Sequence, residues 1–195
     1  MSAEVRPAAP LPRVTLVLGG ARSGKSARAE ALVEESGLAP VYVATAQAFD
    51  EEMRARIAEH RARRGPAWHT VEAPMALAAT LEAEAAPGRA VLVDCLTLWL
   101  TNLLLAERDC AAEGDGLVAA LGRLAGPAVV VSNEVGLGIV PDNALARRFR
   151  DEAGRLNQAV ARIADRVEFL AAGLVLPMKT EAAPAAPLTT EGPMR

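Results

Sequence analysis

Short apolar runs alternate with longer amphipathic stretches along most of the chain. The runs are continuous and rich in β-branched residues, which is the pattern of strands covered on both faces. They predict strands at Val14–Leu18, Val41–Ala44, Ala90–Asp94, Ala128–Ser132, Arg166–Ala171 and Leu174–Met178. Residues 68–72 alternate like a further short strand, so His69 within it is most simply interpreted as a structural residue.

Helical periodicity fills the gaps between these runs. It predicts helices at Lys25–Ser36, Phe49–Arg63, Met75–Ala86, Leu96–Arg108 and Asp142–Ala164. The last helix has one apolar stripe, made of Leu145, Phe149, Ala153, Leu156, Val160 and Ile163. Strands that alternate with helices in this way predict an α/β fold with a mostly parallel sheet and helices on both faces.

The two ends of the chain differ in composition from the region between them. Residues 1–12 are rich in Ala and Pro and are expected to form a flexible arm, and residues 180–195 a disordered tail. Residues 13–179 have the length of one ordinary domain. We therefore expect a single domain between an arm and a tail.

Composition and charge narrow the possible classes of protein. The formal net charge of −3 argues against a general nucleic-acid binder. No apolar run has the length and purity of a membrane span, and the start of the chain lacks the apolar core of a secretory signal. We therefore expect a cytoplasmic protein. Cys95 and Cys110 form no CxxC pair, so neither a disulfide framework nor a zinc site is suggested.

The segment between the first strand and the first helix matches GxxxxGK[ST] without a gap. It consists of Gly19, Gly20, Ala21, Arg22, Ser23, Gly24, Lys25 and Ser26. The glycines let backbone N–H groups point at one phosphate chain, and the following helix adds its N-terminal partial positive charge. Lys25, one of only two lysines, is expected to reach the β- and γ-phosphates, and Ser26 to bind Mg²⁺. The segment predicts a P-loop nucleotide-binding site.

An acidic partner for this magnesium ion is expected at the end of a nearby strand. Asp94 ends an apolar run in a Walker-B-like arrangement. Alternatively, Asp94 caps the helix that follows, and both roles are compatible. The fourth strand ends in Ser132-Asn133-Glu134-Val135, which lacks the NKxD-type element that reads guanine in switch GTPases. A switch GTPase is therefore not expected.

The predicted helix from Phe49 to Arg63 carries a second candidate site, because His60 is followed by Arg61, Arg63 and Arg64. Guanidinium groups bind phosphate oxygens well, and a neutral imidazole is a nucleophile at pH 7. In this interpretation, His60 attacks an α-phosphate and forms a phosphoramidate. In the alternative, the helix is solvent-exposed and held by Glu–Arg pairs four residues apart, and His60 has no chemical function.

Four segments together resemble one family. They are GGARSGKS, ATAQAFDEEMRARIAEHRARR, the W-x-T-x-E segment at 68–72, and NEVGLGIVPDNALARRFRDEAGRLNQ. The family is that of the bifunctional adenosylcobinamide kinase/adenosylcobinamide-phosphate guanylyltransferases of cobalamin synthesis. The resemblance covers roughly residues 14–179. It implies a P-loop NTPase fold of the RecA-like type.

The resemblance also implies two reactions and their cofactors. The family phosphorylates the aminopropanol hydroxyl of its corrinoid substrate, adenosylcobinamide, with ATP or GTP. It then transfers GMP from GTP to that phosphate through a covalent histidine intermediate, which gives adenosylcobinamide-GDP and pyrophosphate. The family's histidine matches His60; many members have two adjacent histidines here, whereas this chain has Glu59-His60. The resemblance further suggests Mg²⁺ as a cofactor and a homo-oligomer, possibly a trimer.

The site residues that the resemblance implies lie in several segments. His60 and Lys25 are the implied catalytic residues, and Ser26 and Asp94 the implied ligands of Mg²⁺. The nucleotide-binding segments of the family match the residues from Gly19 to Ser26, Ala44, Thr45, Ala46, Arg61, Ala62, Arg63, Arg64, Glu72 and Asp94. Because Glu72 and Asp94 are acidic, we expect them to face ribose hydroxyls, the guanine edge or Mg²⁺ rather than phosphate.

The residues after the fourth strand suggest one more site. Asn133, Glu134 and the turn from Gly136 to Gly138 follow a strand end, where open α/β folds bind ligands. We hypothesise that they contribute to the corrinoid or kinase site; alternatively, the glycines only shape a turn. Two other functions stay open from the residues alone: a different P-loop small-molecule kinase without guanylyl transfer, and a non-catalytic nucleotide-sensing protein.

Overall fold

Seven strands form one sheet in the order β3-β2-β4-β5-β1-β6-β7. The structure is a computed structural model that describes residues 10–47, 51 and 64–180. All neighbouring strands are parallel except β6 and β7, which form an antiparallel hairpin. The strands are β1 (Val14–Gly19), β2 (Ala39–Ala44), β3 (His69–Glu72), β4 (Arg89–Asp94), β5 (Ala128–Asn133), β6 (Arg166–Ala171) and β7 (Leu174–Lys179).

The central strands are buried on both faces, as their continuous apolar sequences require. All six residues of β1 are buried, and so are the first five of β5. Apolar side chains therefore project from both faces of the sheet and need helices above and below it. The edge strand β7 differs, because each of its six residues is exposed.

Helices cover both faces of the sheet. In the described residues they are α1 (Lys25–Glu35), α2 (Leu77–Glu84), α3 (Leu96–Leu105), α4 (Cys110–Leu121) and α5 (Ala144–Ile163). Leu32 and Val33 of α1 pack on one face. The buried side chains of α2, α3, α4 and α5 pack on the other face in one large apolar cluster. The predicted α/β fold with a mostly parallel sheet is confirmed.

The predicted elements agree with the observed ones apart from their ends, with three differences. First, α4 was not predicted. Second, Leu145 does not belong to the buried stripe of α5, since 56% of its surface is exposed. Third, the Leu96–Arg108 prediction overruns α3, which ends at Leu105. The predicted helix Phe49–Arg63 lies outside the described residues except at Glu51, which is helical.

Both predicted ends of the chain lie largely outside the part that the structure describes. Of the expected arm, residues 10–12 are described, and Leu11 packs against the apolar cluster under α1. Of the expected tail, only Thr180 is described. Within the described ranges, no helix is both long enough and apolar enough to span a membrane.

Candidate functional site

The predicted site residues meet where the parallel strands end. Gly19, Ala44, Glu72, Asp94 and Asn133 are the last residues of β1, β2, β3, β4 and β5. Because these strands are parallel, their carboxyl ends share one edge of the sheet, where open α/β folds bind ligands. Strands lie about 4.8 Å apart, so β4 lies about 10 Å from β1, and β3 about 19 Å.

The P-loop joins β1 to α1, as predicted, and its geometry depends on glycine at two positions. A side chain at Gly19 would meet Ser23 Oγ at 2.5 Å and the Leu170 carbonyl oxygen at 2.6 Å. Gly24 has a φ of 95°, a left-handed conformation that other residues adopt only with strain. Tight packing under the loop thus fixes the path of its backbone.

The side chains of the loop differ in exposure. Ala21 and Arg22 are exposed and Ser26 is half-buried at the start of α1. Ser23 is buried, and its hydroxyl has no hydrogen-bond partner among the described residues. The Ser23 carbonyl oxygen accepts a hydrogen bond of 3.0 Å from the Gly173 amide in the β6–β7 turn. The turn between β6 and β7 therefore packs against the P-loop and holds it in place.

Lys25 lies against the loop that it follows. Its side chain is only 9% exposed, and its Nζ donates to the Gly20 carbonyl oxygen at 3.0 Å. Its charge also reaches the end of β4. Burial and the charge of Asp94 raise the pKa of the Cys95 thiol, and the charge of Lys25 opposes them. The structure thus brings Lys25 into electrostatic range of the Asp94–Cys95 segment.

Asp94 lies at the end of β4, where the Walker-B-like interpretation places it. Asp94 does not occupy the cap position of α3, which is Cys95. A carboxylate and a hydroxyl are the oxygen donors that Mg²⁺ prefers in proteins. The half-buried Asp94 and Ser26 therefore fit a magnesium ion by their chemistry.

A buried polar network ties the ends of β2, β4 and β5 together. Thr45 Oγ1 donates to the Cys95 carbonyl oxygen and accepts from the Cys95 amide, both at 2.8 Å. Asn133 Nδ2 donates to Thr97 Oγ1 at 2.6 Å, and Thr97 Oγ1 lies 3.1 Å from Cys95 Sγ. The Thr45 side chain is fully buried. Its hydroxyl therefore holds the end of β4 in place and does not point toward the ligand-binding edge of the sheet.

The helix α1 is anchored to the sheet by an ion cluster that the sequence patterns did not reveal. Glu168 of β6 is 1% exposed and accepts hydrogen bonds from Arg28 Nε at 2.9 Å and Nη2 at 3.1 Å. Arg166 makes a second, close ion pair with the same carboxylate. Burial alone would raise the pKa of Glu168, but the two guanidinium groups hold it below its ordinary value.

Arg64 lies against the middle of α1 and the middle of β2, below the carboxyl edge of the sheet. Its guanidinium carbon is 3.3 Å from the centre of the Tyr42 ring, and its Nη1 is 3.8 Å from Glu30 Oε1. The side chain is 5% exposed, and its Nε and Nη1 have no hydrogen-bond acceptor in the described part of the chain. Burial, with the charge of Asp94, raises the pKa of Tyr42 far above its ordinary value.

A cavity of about 340 Å³ opens beside Arg64 and is also lined by Gly65, Pro66, Trp68 and Thr70. The Trp68 ring meets the Tyr42 ring edge-on, with 6.3 Å between centroids, and its Nε1 donates to Glu34 Oε1 at 3.0 Å. Since Trp68 precedes β3 and Glu34 is in the last turn of α1, the cavity extends toward the amino edge of the sheet, away from the P-loop. The Arg64 cluster is built from side chains, whereas the P-loop is built from backbone.

Several predicted site residues are not brought to the P-loop. Glu72 is exposed at the end of β3, about four strand spacings from β1. Ala44 and Ala46 are half-buried beside it. The predicted residues His60, Arg61, Ala62 and Arg63 lie outside the described residues, so their roles stay predictions.

Sequence reasoning missed Thr97, Arg28 and Glu168, which hold the site in place. The polar residue at Thr97, three positions after the strand-ending Asp94, carried no recognisable motif. Glu168 interrupts a strand of apolar residues, and a charge at such a position is a signal of a buried ion pair. Arg28 gives no comparable signal, because arginine is common on helix surfaces.

Comparisons with known proteins find one family and several relatives that match most of the chain. The family model described as cobinamide kinase / cobinamide phosphate guanyltransferase matches residues 15–178. The bifunctional adenosylcobalamin biosynthesis protein CobP of Pseudomonas aeruginosa is 59% identical over 168 residues, covering 85% of this chain and 97% of that protein. The bifunctional adenosylcobalamin biosynthesis protein CobU of Salmonella typhimurium is 44% identical over 181 residues, covering 84% and 98%.

Solved structures show the fold at much lower sequence identity. The assembled ATPase EscN of the enteropathogenic E. coli type III secretion system aligns with a TM-score of 0.54 at 12% identity. The alignment covers 83% of this chain and 43% of that one. The predicted P-loop NTPase fold of RecA-like type is confirmed.

Proposed function

The chain belongs to the cobinamide kinase / cobinamide phosphate guanyltransferase family, and from this premise we propose that it is a bifunctional transferase of cobalamin synthesis. It phosphorylates adenosylcobinamide with ATP or GTP. It then transfers GMP from GTP to the new phosphate and releases pyrophosphate, which yields adenosylcobinamide-GDP. The observation that carries the proposal is the P-loop with Lys25 against its backbone, in a chain that matches the family from residue 15 to residue 178.

In the kinase half, the P-loop holds the triphosphate for attack by the substrate hydroxyl. The hydroxyl oxygen bonds to the γ-phosphorus and releases its proton to solvent. The bond between the γ-phosphorus and the oxygen that bridges to the β-phosphate breaks, so the nucleoside diphosphate leaves. Loop amides, the start of α1 and Lys25 stabilise the negative charge that collects on the leaving phosphate. Lys25 is close to this position already, since its Nζ bonds to the Gly20 carbonyl oxygen within the loop.

Ser26 and Asp94 are the residues that would hold a magnesium ion. When bound, the ion neutralises phosphate charge. β1 and β4 lie about 10 Å apart, with β5 between them. One proposed ligand, Ser26, follows β1 at the start of α1, and the other, Asp94, ends β4, so the ion would lie between the two strands. Asp94 is half-buried, and the buried Thr45–Cys95 hydrogen bonds hold the backbone that follows it.

In the guanylyltransferase half, His60 attacks the α-phosphorus of GTP, and the bond to pyrophosphate breaks. The corrinoid phosphate then displaces histidine from the GMP. Arg64, four residues later, contacts Glu30 of α1. Four residues span at most about 14 Å, so the chain permits His60 to reach nucleotide bound at the start of that helix. Arg61, Arg63 and Arg64 would offset charge on the transferred phosphate.

The nucleoside is proposed to extend along the edge, away from the P-loop. Glu72 lies too far from β1 to serve the β- and γ-phosphates, and its carboxylate would repel them. It is suited to accept hydrogen bonds from ribose hydroxyls or the guanine edge. Ala44 pairs with both Glu72 and Asp94 in the sheet, and Ala46 follows two residues later, which supports contacts of this segment to the same nucleoside.

A homo-oligomer, possibly a trimer, located in the cytoplasm is part of the proposal. The exposed strand β7 supports self-association, because Leu174, Leu176 and Met178 on one of its faces are each more than 60% exposed. An edge strand with exposed apolar side chains is a typical contact surface between subunits.

Intact mass of the purified protein after incubation with GTP and Mg²⁺, without corrinoid, tests the proposal. A gain of one GMP is expected in the parent and in His69→Asn, and not in His60→Asn. His69 is the matched control, since it is the other histidine and is exposed on β3. Samples stay at neutral or alkaline pH, because acid hydrolyses phosphoramidates. No gain, with GTP binding intact, would indicate a P-loop kinase without guanylyl transfer.

A further inference from the structure

Five large apolar side chains are exposed on one side of the P-loop end of the molecule. Ile139 is 97% exposed and Leu137 82%, and Val140, Leu105 and Leu145 are between 56% and 60% exposed. We call these five residues the apolar rim. Apart from β7, they are the large apolar residues most exposed in the described part of the chain. Exposed large apolar residues mark a binding surface where they cluster, and Leu105 and Leu145 line the same groove.

The rim stands beyond the carboxyl edge of the sheet. Asn157 of α5 accepts a hydrogen bond from Ser132 Oγ and donates to the Asn133 carbonyl oxygen, so it is level with the end of β5. Ala144 begins the helix 13 residues earlier, and about 20 Å of helix therefore precedes that level. This projecting part of α5 carries Leu145 and the loop that leads to it.

A groove of about 230 Å³ separates the projecting part of α5 from α3. Its lining is apolar, with polar groups at its margin: Thr101, Leu104, Leu105, Asn143, Leu145, Ala146 and Phe149. The rim residues Leu105 and Leu145 thus form the two walls of one groove, and Leu137, Ile139 and Val140 belong to the loop before α5.

The loop that carries the rim begins at the P-loop. The Glu134 amide donates to the Gly19 carbonyl oxygen at 3.1 Å. Glu134 Oε1 then accepts from the Gly136 amide at 2.5 Å and holds the turn that follows. At the far end, Arg147 Nη1 donates to the carbonyl oxygens of Pro141 and Asp142. Both ends are held, and the apolar residues between them are left exposed.

We propose that the apolar rim binds the corrin macrocycle of adenosylcobinamide, an inference that rests on the function proposed above. The reacting hydroxyl lies at the tip of a side arm of this macrocycle. The macrocycle is much larger than the phosphate cradle, so its body has to bind outside the P-loop while the arm reaches in. Its edge carries methyl groups, which match the rim, and amides, which match Asn143 and Thr101.

Continuity with the phosphate site selects this occupant over a second copy of the chain. The rim loop starts with a hydrogen bond to the first residue of the P-loop. The other exposed apolar surface, β7, is at the end of the sheet and is available for contact between copies. A macrocycle on the rim is therefore next to the phosphate that its arm must receive.

The test compares Ile139→Ser and the double variant Ile139→Ser/Leu145→Gln with the conservative Ile139→Leu. Ile139 is almost fully exposed, so its replacement does not disturb the fold. The KM for adenosylcobinamide in ATP-driven phosphorylation is expected to rise at least about tenfold in the double variant, because lost apolar contacts of this size have such effects. Ile139→Leu is expected to keep the parent KM.

Guanylylation by GTP without corrinoid is measured in parallel and is expected to stay within about twofold of the parent. This readout separates the two proposals, since failure of the function itself would abolish phosphorylation or guanylylation in the parent. An unchanged KM in the double variant overturns the assignment of the rim. A changed molecular mass by light scattering with an unchanged KM would likewise overturn it and assign the rim to a contact between copies.

Discussion

Lys25 and Arg64, two cations assigned to the nucleotide from the sequence, have contrasting surroundings. Lys25 Nζ donates to a carbonyl oxygen of its own loop, so its position is set by the backbone that would bind phosphate. Arg64 is stacked on Tyr42, and its Nε and Nη1 have no acceptor among the described residues. At Arg64, an anion could accept hydrogen bonds from the two nitrogens that have no acceptor among the described residues. At Lys25, the ammonium group is already held beside the backbone of the loop that would bind the anion.

The supports beneath the two cations differ in the same way. The P-loop end is held by buried ionic and backbone contacts: Arg28 to Glu168, and Gly173 to Ser23. The Arg64 cluster is held by ring contacts between Tyr42 and Trp68 and by one ion pair of 3.8 Å. The comparison teaches that the P-loop is held by the sheet and by α1, whereas the Arg64 cluster is held by packing between side chains.

Of the variants considered, Lys25→Met should have the largest effect on the function of the P-loop. Loss of the cation is expected to lower the rates of both phosphorylation and self-guanylylation by about 10³-fold, the effect typical of removing a charge that stabilises phosphoryl transfer. The matched control is Lys179→Met, because Lys179 is the other lysine and only bonds carbonyl oxygens at the end of α5. Guanylylation of Lys25→Met at the parent rate would contradict the placement of the triphosphate.

Glu168→Gln should loosen α1 by breaking the buried ion cluster. The expected loss is about 3 kcal/mol in the free energy of unfolding, because two guanidinium groups lose their buried counterion. Urea denaturation measures it. Glu82→Gln is the control, since its ion pair with Arg123 is exposed and should contribute at most about 1 kcal/mol.

The pH dependence sharpens the same prediction. The pKa of Glu168 is lower in the folded protein than its ordinary value. Its stabilisation is therefore complete above the ordinary carboxyl pKa and is lost as the pH falls through the lower, folded value. Denaturation at a series of acidic pH values should show this loss in the parent. A parent and a Glu168→Gln variant with identical acid slopes would show that the carboxylate does not titrate in this way.

Gly19→Ala should lower the free energy of unfolding by less than Glu168→Gln does. Its new methyl group would press on Ser23 Oγ and the Leu170 carbonyl oxygen, and such overpacking costs about 2 kcal/mol. Gly20→Ala is the control in the same loop, because a side chain there meets nothing within 4 Å. Thermal unfolding should separate the two variants; equal midpoints would show that the loop relaxes around the methyl group.

Arg64→Met should have the smallest effect on the transfer rates. Self-guanylylation is expected to fall about tenfold, because a charge-assisted contact to phosphate is lost. The free energy of unfolding should fall by about 2 kcal/mol, since the variant loses a buried cation–π contact with Tyr42 and an ion pair with the buried Glu30. Arg123→Met, at an exposed site, serves as the control. A large loss of stability with normal guanylylation would assign Arg64 to the fold alone.

Local patterns predicted most elements, and the exceptions have physical reasons. Asp109 caps α4 by accepting from the amides of Ala111 and Ala112, a signal present in the sequence. Gly114 and Gly116 lower the helix propensity of that segment and conceal it. Leu145 fits the apolar period of α5 yet is exposed, because periodicity does not reveal how far a helix extends beyond its packing partners.

The sequence by itself determined the class of fold and the P-loop, because the signal for each lies in contiguous residues. A strand buried on both faces is a continuous apolar run, and a phosphate cradle is one short segment. Only the tertiary structure decided that Glu72 lies four strands from Gly19, that Arg64 stacks on Tyr42 and that Glu168 holds Arg28. These relations depend on strand order and on packing between residues far apart in the chain, which local patterns do not encode.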